Sequence, residues 1–88
     1  MADDETMSRS KRTSELRKLA ASNVRRFRLQ HGWSQEKLAK HARIDRTHLA
    51  RFESRAINVS LDVVLCLAAA LKIDVRDLFV PPQEWDED

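Results

Sequence analysis

The chain reads as an all-α fold of five helices, the first of them long. Three observations predict it. Apolar residues recur three and four apart in five separate stretches, the spacing of one helix face. Alternating β-branched patterning is scarce. The 88 residues contain a single glycine and only two prolines, both near the C-terminus, so little interrupts helical runs. A chain this long makes one small domain around one core.

Residues 1–13 are polar and lack apolar periodicity, and they read as a flexible N-terminal arm. Within it, Ser8-Arg9-Ser10-Lys11-Arg12 has the chemistry to follow a phosphate backbone or enter a minor groove; a plain polar tail is the simpler reading. Thr13 or Ser14 can cap the first helix, which is expected to run to about His31. Its buried stripe is Leu16, Leu19, Ala20, Val24 and Phe27. Arg28 falls beside that stripe and, if buried, needs an acid. Gly32 supplies the left-handed residue that ends the helix. Trp33 is expected to pack on the core.

Ser34 caps a second helix carrying Leu38, Ala39 and Ala42 on one face. Lys37 stands where a full capping box would have Glu or Gln. Asp45 caps a third, with Leu49 and Phe52 as its buried stripe. Arg46, Thr47, His48, Ala50 and Arg51 are left on its other faces. Taken alone, these two helices are equally an ordinary helical hairpin with a solvated face or a reader of the DNA major groove.

The flanks bear on that choice. The net charge of +2 hides an asymmetry: −3 over residues 1–8, +10 over residues 9–55 and −5 over residues 56–88. A local excess of ten cations around the two-helix stretch favours a polyanionic partner.

Ser60 caps the fourth helix, Leu61 to Leu71, with Asp62 in its first turn. Leu61, Val64, Leu67 or Ala68, and Leu71 form its core stripe. Val63, Cys66, Ala69 and Ala70 make the opposite side apolar as well. A helix apolar all round calls for cover on both sides, and a subunit interface at Val63, Cys66 and Ala70 would supply it. Asp74 caps a fifth helix, Val75 to Phe79, with Leu78 and Phe79 inward, and Pro81-Pro82 stops it. Residues 81–88 form an acidic tail containing Trp85, which either docks on a partner subunit or stays loose.

The residues exclude several classes. A lone cysteine, Cys66, precludes an intramolecular disulfide and fits a reducing compartment; it reads as an interface or small core residue rather than a sensor. No run approaches the roughly 18 apolar residues a membrane span needs, and the acidic N-terminus does not resemble a signal peptide. His31, His41 and His48 have no metal-ligand or acid–base spacing with Cys66. They read as surface residues, and no metal, cofactor or enzymatic activity is expected.

Gly32-Trp33-Ser34-Gln35-Glu36-Lys37-Leu38-Ala39, Ile44-Asp45-Arg46-Thr47-His48-Leu49-Ala50-Arg51-Phe52-Glu53, Asn58-Val59-Ser60-Leu61, Leu67-Ala68-Ala69-Ala70-Leu71 and Leu78-Phe79 together resemble the phage-repressor/Cro-type (lambda-repressor-like) helix-turn-helix family. The match runs without gaps from about Asn23 to Phe79. Ile44–His48 and Asn58–Leu61 look most like controller proteins of restriction–modification systems. The resemblance implies a compact five-helix helix-turn-helix domain for DNA binding and dimerisation over residues 14–80. It also implies a homodimer on a palindromic double-stranded operator, in the cytoplasm of a bacterium or phage. It assigns base reading to Arg46, Thr47, His48 and Arg51, phosphate contacts to Gln35, Arg43, Arg55 and Asn58, and to Gln35 a helix-clamping role as well. It makes Arg28 and Glu53 a buried ion pair. RNA polymerase is a further partner if an exposed patch touches it. An antitoxin or adaptor that uses the fold mainly to hold a protein is the alternative. The family often has glycine where this chain has Arg43 and Arg55, and a left-handed backbone there would cost a non-glycine residue roughly 1 kcal/mol.

Overall fold

The computed structural model describes residues 2–82, with side chains described from Arg9 to Pro82. It contains helices α1 (Ala2–Gln30), α2 (Gln35–Ala42), α3 (Arg46–Arg55) and α4 (Leu61–Leu71), followed by a 3₁₀ turn over Val75–Phe79. No strand occurs among the described residues. The expected fifth helix is therefore this tighter turn. Asp74 starts it and the prolines follow directly, leaving too few residues for α-helical bonds to propagate.

Four expected caps form. Ser34 Oγ accepts from the Lys37 amide at 3.1 Å and Asp45 Oδ2 from the His48 amide at 3.2 Å. Ser60 Oγ accepts from the Val63 amide at 3.2 Å and Asp74 Oδ1 from the Arg76 amide at 2.9 Å. Each satisfies an amide that the first helical turn cannot pair internally.

The C-termini share a device. Gly32, Arg43 and Lys72 are left-handed, with φ of 73°, 59° and 59°. At each, that residue and its successor donate back into the helix: Gly32 to Leu29 and Trp33 to Arg28, Arg43 to Lys40 and Ile44 to Ala39, Lys72 to Ala69 and Ile73 to Ala68. These are Schellman motifs, and the apolar successors Trp33, Ile44 and Ile73 all pack against the core. After α3 the left-handed residue is Ala56 (φ 49°), whose amide donates to Phe52 at 2.8 Å. Arg55 is still helical, so the strain expected there falls one residue later.

α1 starts at Ala2 rather than at Thr13 or Ser14, so the segment read as a flexible arm is helical from Ala2 onward. No glycine or proline interrupts residues 2–13, and Asp3, Asp4 and Glu5 suit the positive end of the helix dipole. Thr13 is no cap: its hydroxyl donates to the Arg9 carbonyl at 2.9 Å, one turn back.

The core comprises Ala20, Ala21, Val24 and Phe27 of α1, Leu38, Ala39 and Ala42 of α2, Leu49 and Phe52 of α3, Leu67, Ala68 and Leu71 of α4, and Leu78. Among the expected core residues, Leu19 and Val64 are only half-buried, and three others are exposed. Leu16 is 43% exposed, Leu61 69% and Phe79 40%. Leu16 precedes the part of α1 that enters the core, and Leu61 begins α4 on a side that no other element covers among the described residues. Asn23, fully buried, donates from Nδ2 to the Leu78 carbonyl at 2.8 Å and the Val80 carbonyl at 2.9 Å, fastening the C-terminal turn to α1.

Candidate nucleic-acid interface

α3 rests on Leu49 and Phe52, both buried, which turns its opposite side outward. Positions 47, 51 and 54 follow helical spacing, so Thr47, Arg51 and Ser54 form the crest, all exposed. Arg46 flanks this crest and is exposed; Ala50 is half-buried. Ser54 escaped the sequence reading, although its place seven residues after Thr47 would have found it. Its hydroxyl sits 3.5 Å from the Arg51 carbonyl. His48 lies off the crest and is half-buried.

Three residues fix this helix to the body. Arg28 Nε donates to Glu53 Oε2 and Arg28 Nη2 to Glu53 Oε1, both at 2.9 Å, and Arg28 Nη1 donates to the Trp33 carbonyl at 2.8 Å. The Arg28 and Glu53 side chains are only 9% and 2% exposed. Such a pair is strongly held once formed, because breaking it strands a charge away from water. Gln35 Nε2 donates to the same Glu53 Oε1 at 3.0 Å. One carboxylate thus ties α1, the α1–α2 link, the first residue of α2, and α3 together. The acid that Arg28 requires is Glu53, and Gln35, half-buried, presents the N-terminal end of α2 beside it.

Around the crest, Arg43, Arg55 and Asn58 are all exposed. Arg43 occupies the left-handed corner between α2 and α3. The two helix N-termini, the crest and these loop residues make a cationic surface with a helix protruding from it. Positive helix ends and guanidinium groups both suit phosphate oxygens.

The histidines take no part in that surface as a cluster. His31 and His41 stack on the two sides of the Trp33 ring, with centroids 4.8 and 4.5 Å away. His31 Nε2 donates to the Leu71 carbonyl and His41 Nδ1 to the Lys37 carbonyl, each at 2.9 Å. They brace Trp33, which is half-buried, between α1, α2 and α4. Among the described residues, no three His, Cys, Asp or Glu side chains gather closely enough to hold a metal ion. Nor is any helix among them long and apolar enough to cross a membrane.

On α4, Val63 and Ala70 are half-buried against the chain's own core, while Cys66 is exposed. The exposed apolar side is centred on Leu61, Leu65, Cys66 and Ala69. Trp85 lies outside the described residues.

These features define a helix-turn-helix domain. The helix-turn-helix family profile matches residues 24–78, and the chain belongs to that family. It is similar to a hypothetical transcription factor of Neisseria meningitidis serogroup B (strain ATCC BAA-335 / MC58), 41% identical over 70 residues, covering 80% of this chain but 66% of that protein. The chain therefore spans just under two thirds of that relative. The solved structure of the Neisseria factor superposes with a TM-score of 0.73 and covers 80% of both chains. Control protein C.SmaI of Serratia marcescens is 34% identical, covering 73% of this chain and 76% of that protein. The restriction–modification controller protein C.AhdI of Aeromonas hydrophila is 38% identical with a TM-score of 0.68, covering 72% of this chain and 96% of that structure. These relatives are regulators rather than enzymes, and the family resemblance carried by Gly32–Phe79 holds.

Proposed function

We propose that this chain is a sequence-specific transcriptional regulator that binds a palindromic operator as a homodimer, with α3 in the major groove. The observation that carries the reading is the single carboxylate of Glu53. It fixes α3 to Arg28 and Gln35, while the opposite side of the helix, Thr47–Arg51–Ser54, stays exposed. A helix held rigidly at its back and exposed at its front suits base reading, which needs side chains pre-positioned against base edges.

In this reading Arg46 and Arg51 present their forks to guanine O6 and N7, each good pair contributing roughly 1–3 kcal/mol of discrimination. The Thr47 methyl group meets thymine. Ser54 joins the crest, and His48 serves from the side. Gln35, Arg43, Arg55 and Asn58 hold phosphates and set the register. The exposed apolar side of α4, with Leu61 and Leu65 at its centre, joins two copies about a two-fold axis. The two recognition helices then stand about 34 Å apart, one turn of duplex. Bound so, the dimer regulates by blocking polymerase, or activates where an exposed patch touches it.

The test is binding of genomic fragments across a salt series by wild type and by Arg46→Ala/Arg51→Ala. We expect a subset of fragments to be retained at high salt by wild type and lost by the variant. Retention of no fragment over the bulk, with a protein co-purifying instead, would favour an adaptor role and overturn this reading.

A further inference from the structure

The N-terminal half of α1 carries a feature that the recognition surface above does not use. Arg9, Thr13 and Arg17 recur every four residues and so share one side of the helix, with Arg12 beside them. Glu15 is the sole acid between residues 9 and 35, and it falls on the other side with Lys11 and Lys18. The Arg9–Arg17 side is thus cationic and hydroxyl-bearing between those residues, with Glu5 one turn before Arg9. Arg9, Arg12 and Thr13 are exposed and Arg17 is half-buried. Thr13 and Arg17 share with Asn58 and Val59 of the α3–α4 loop a mostly apolar groove of about 300 Å³, lined also by Leu16, Phe52, Val64 and Phe79. The strip therefore begins where the proposed phosphate contacts of Asn58 end. From Arg17 to Arg9 it runs eight residues, roughly 12 Å along the helix. Measured along the duplex axis, that is the rise of about three phosphates of one strand, roughly 3.4 Å each.

We propose that this side of α1, through Arg9, Arg12 and Arg17, is a second phosphate-binding strip continuous with the α3–α4 loop. It rests on the reading of the chain as an operator-binding regulator. Its partner is the sugar–phosphate backbone of the same duplex, and the contact is independent of base sequence. Helical backbone holds the three guanidinium stems at fixed spacing, so the strip adds affinity and register without the ordering cost of a loose arm. Charge complementarity and continuity with the loop carry the argument; an acidic protein segment is the competing occupant.

The experiment compares wild type, R9Q/R12Q/R17Q and K11Q/K18Q by fluorescence anisotropy. Each binds a selected operator duplex and a scrambled duplex across a salt series, with helix content checked by circular dichroism. The plot of log affinity against log salt should flatten by about 2–3 per protomer for R9Q/R12Q/R17Q, from roughly 0.9 per phosphate contact. It should do so equally on both duplexes, leaving the operator-to-scrambled ratio unchanged. K11Q/K18Q should keep the wild-type slope. An unchanged slope in R9Q/R12Q/R17Q overturns the strip, as does an equal loss per charge in K11Q/K18Q. A wild-type ratio of one overturns operator reading instead, while the slope on the scrambled duplex still decides the strip.

Discussion

Arg28 grips both oxygens of Glu53, with Nε 2.9 Å from Oε2 and Nη2 2.9 Å from Oε1. The two residues lie 25 apart in sequence and join the end of the first helix to the back of the third. Burial makes the pair unforgiving. Glu53→Ala leaves a buried guanidinium and should cost about 3–5 kcal/mol, a large share of a small domain's stability. The double variant Arg28→Met/Glu53→Leu should lose far less than the two single changes combined. Urea denaturation of the four proteins measures the coupling. Additive losses would mean the pair does not act as a unit.

Arg43 holds a left-handed backbone (φ 59°) at the corner before the recognition helix. Arg43→Gly should relieve about 1 kcal/mol of strain. For a domain of this size that raises the Tm by roughly 4–8 °C. The same change removes a cation from the DNA-facing corner, so affinity should fall evenly on all sequences. Ala56→Gly should stabilise in the same direction without touching affinity. A thermal melt of each variant, paired with binding curves, separates the two effects.

Arg51 and Arg55 sit four apart on α3, yet their predicted roles differ. Arg51→Ala should flatten the preference between operator and mutated operator duplexes. Arg55→Ala should weaken binding equally on both and lower the salt slope by about one. Competition binding with single-base operator variants reads the difference. An even loss for Arg51→Ala would count against base reading there.

Leu61 and Leu65 are 69% and 43% exposed at the centre of the uncovered side of α4. Leu65→Glu should convert the dimer to monomer in sedimentation velocity while leaving the circular dichroism spectrum intact. Operator affinity should fall at least tenfold, and half-site affinity should hold. A wild-type protein that sediments as a monomer at micromolar concentration would contradict the interface.

Asp74 caps the 3₁₀ turn and holds the Arg76 side chain, with 2.7 Å between Oδ2 and Nη2. The Arg76 side-chain and backbone hydrogen bonds lower its pKa from the model-peptide 3.8 to about 2. A depressed carboxylate pKa stabilises above the unfolded value and loses that contribution as the pH falls through the folded value. Its contribution should therefore be constant above about pH 4 and fade between pH 4 and 2. In urea melts across that range, Asp74→Asn should lack this part of the acid dependence. A wild-type loss beginning near pH 6 would point to another group.

Much of this architecture is legible in the residues because its causes are local. Ser34, Asp45, Ser60 and Asp74 each cap by reaching an amide two or three residues ahead, and Gly32 ends α1 through its own backbone freedom. What the sequence conceals depends on distant partners. Asn23 is buried because carbonyls 55 and 57 residues away receive its amide. Leu16, Leu61 and Phe79 continue apolar stripes at good spacing, but spacing does not say which elements arrive to cover them. The left-handed residue after α3 falls on Ala56 rather than Arg55 because α3 continues through Arg55, and the Ala56 amide closes its last turn on Phe52. In the recognition surface, the spacing shows that a buried Arg28 needs an acid, and the family resemblance supplies Glu53 as that acid. The resemblance also makes Gln35 a helix clamp; that it clamps through Glu53 Oε1 required the fold.

The central claim is that α3 reads DNA sequence in a two-fold frame. Repeated selection of bound duplexes from a random pool, followed by sequencing, tests it most directly. The selected sites should converge on an imperfect palindrome whose half-sites are centred about 10 base pairs apart, with guanines at the positions read by Arg46 and Arg51. A bound pool with no shared sequence, or with an unpaired single half-site, would contradict it.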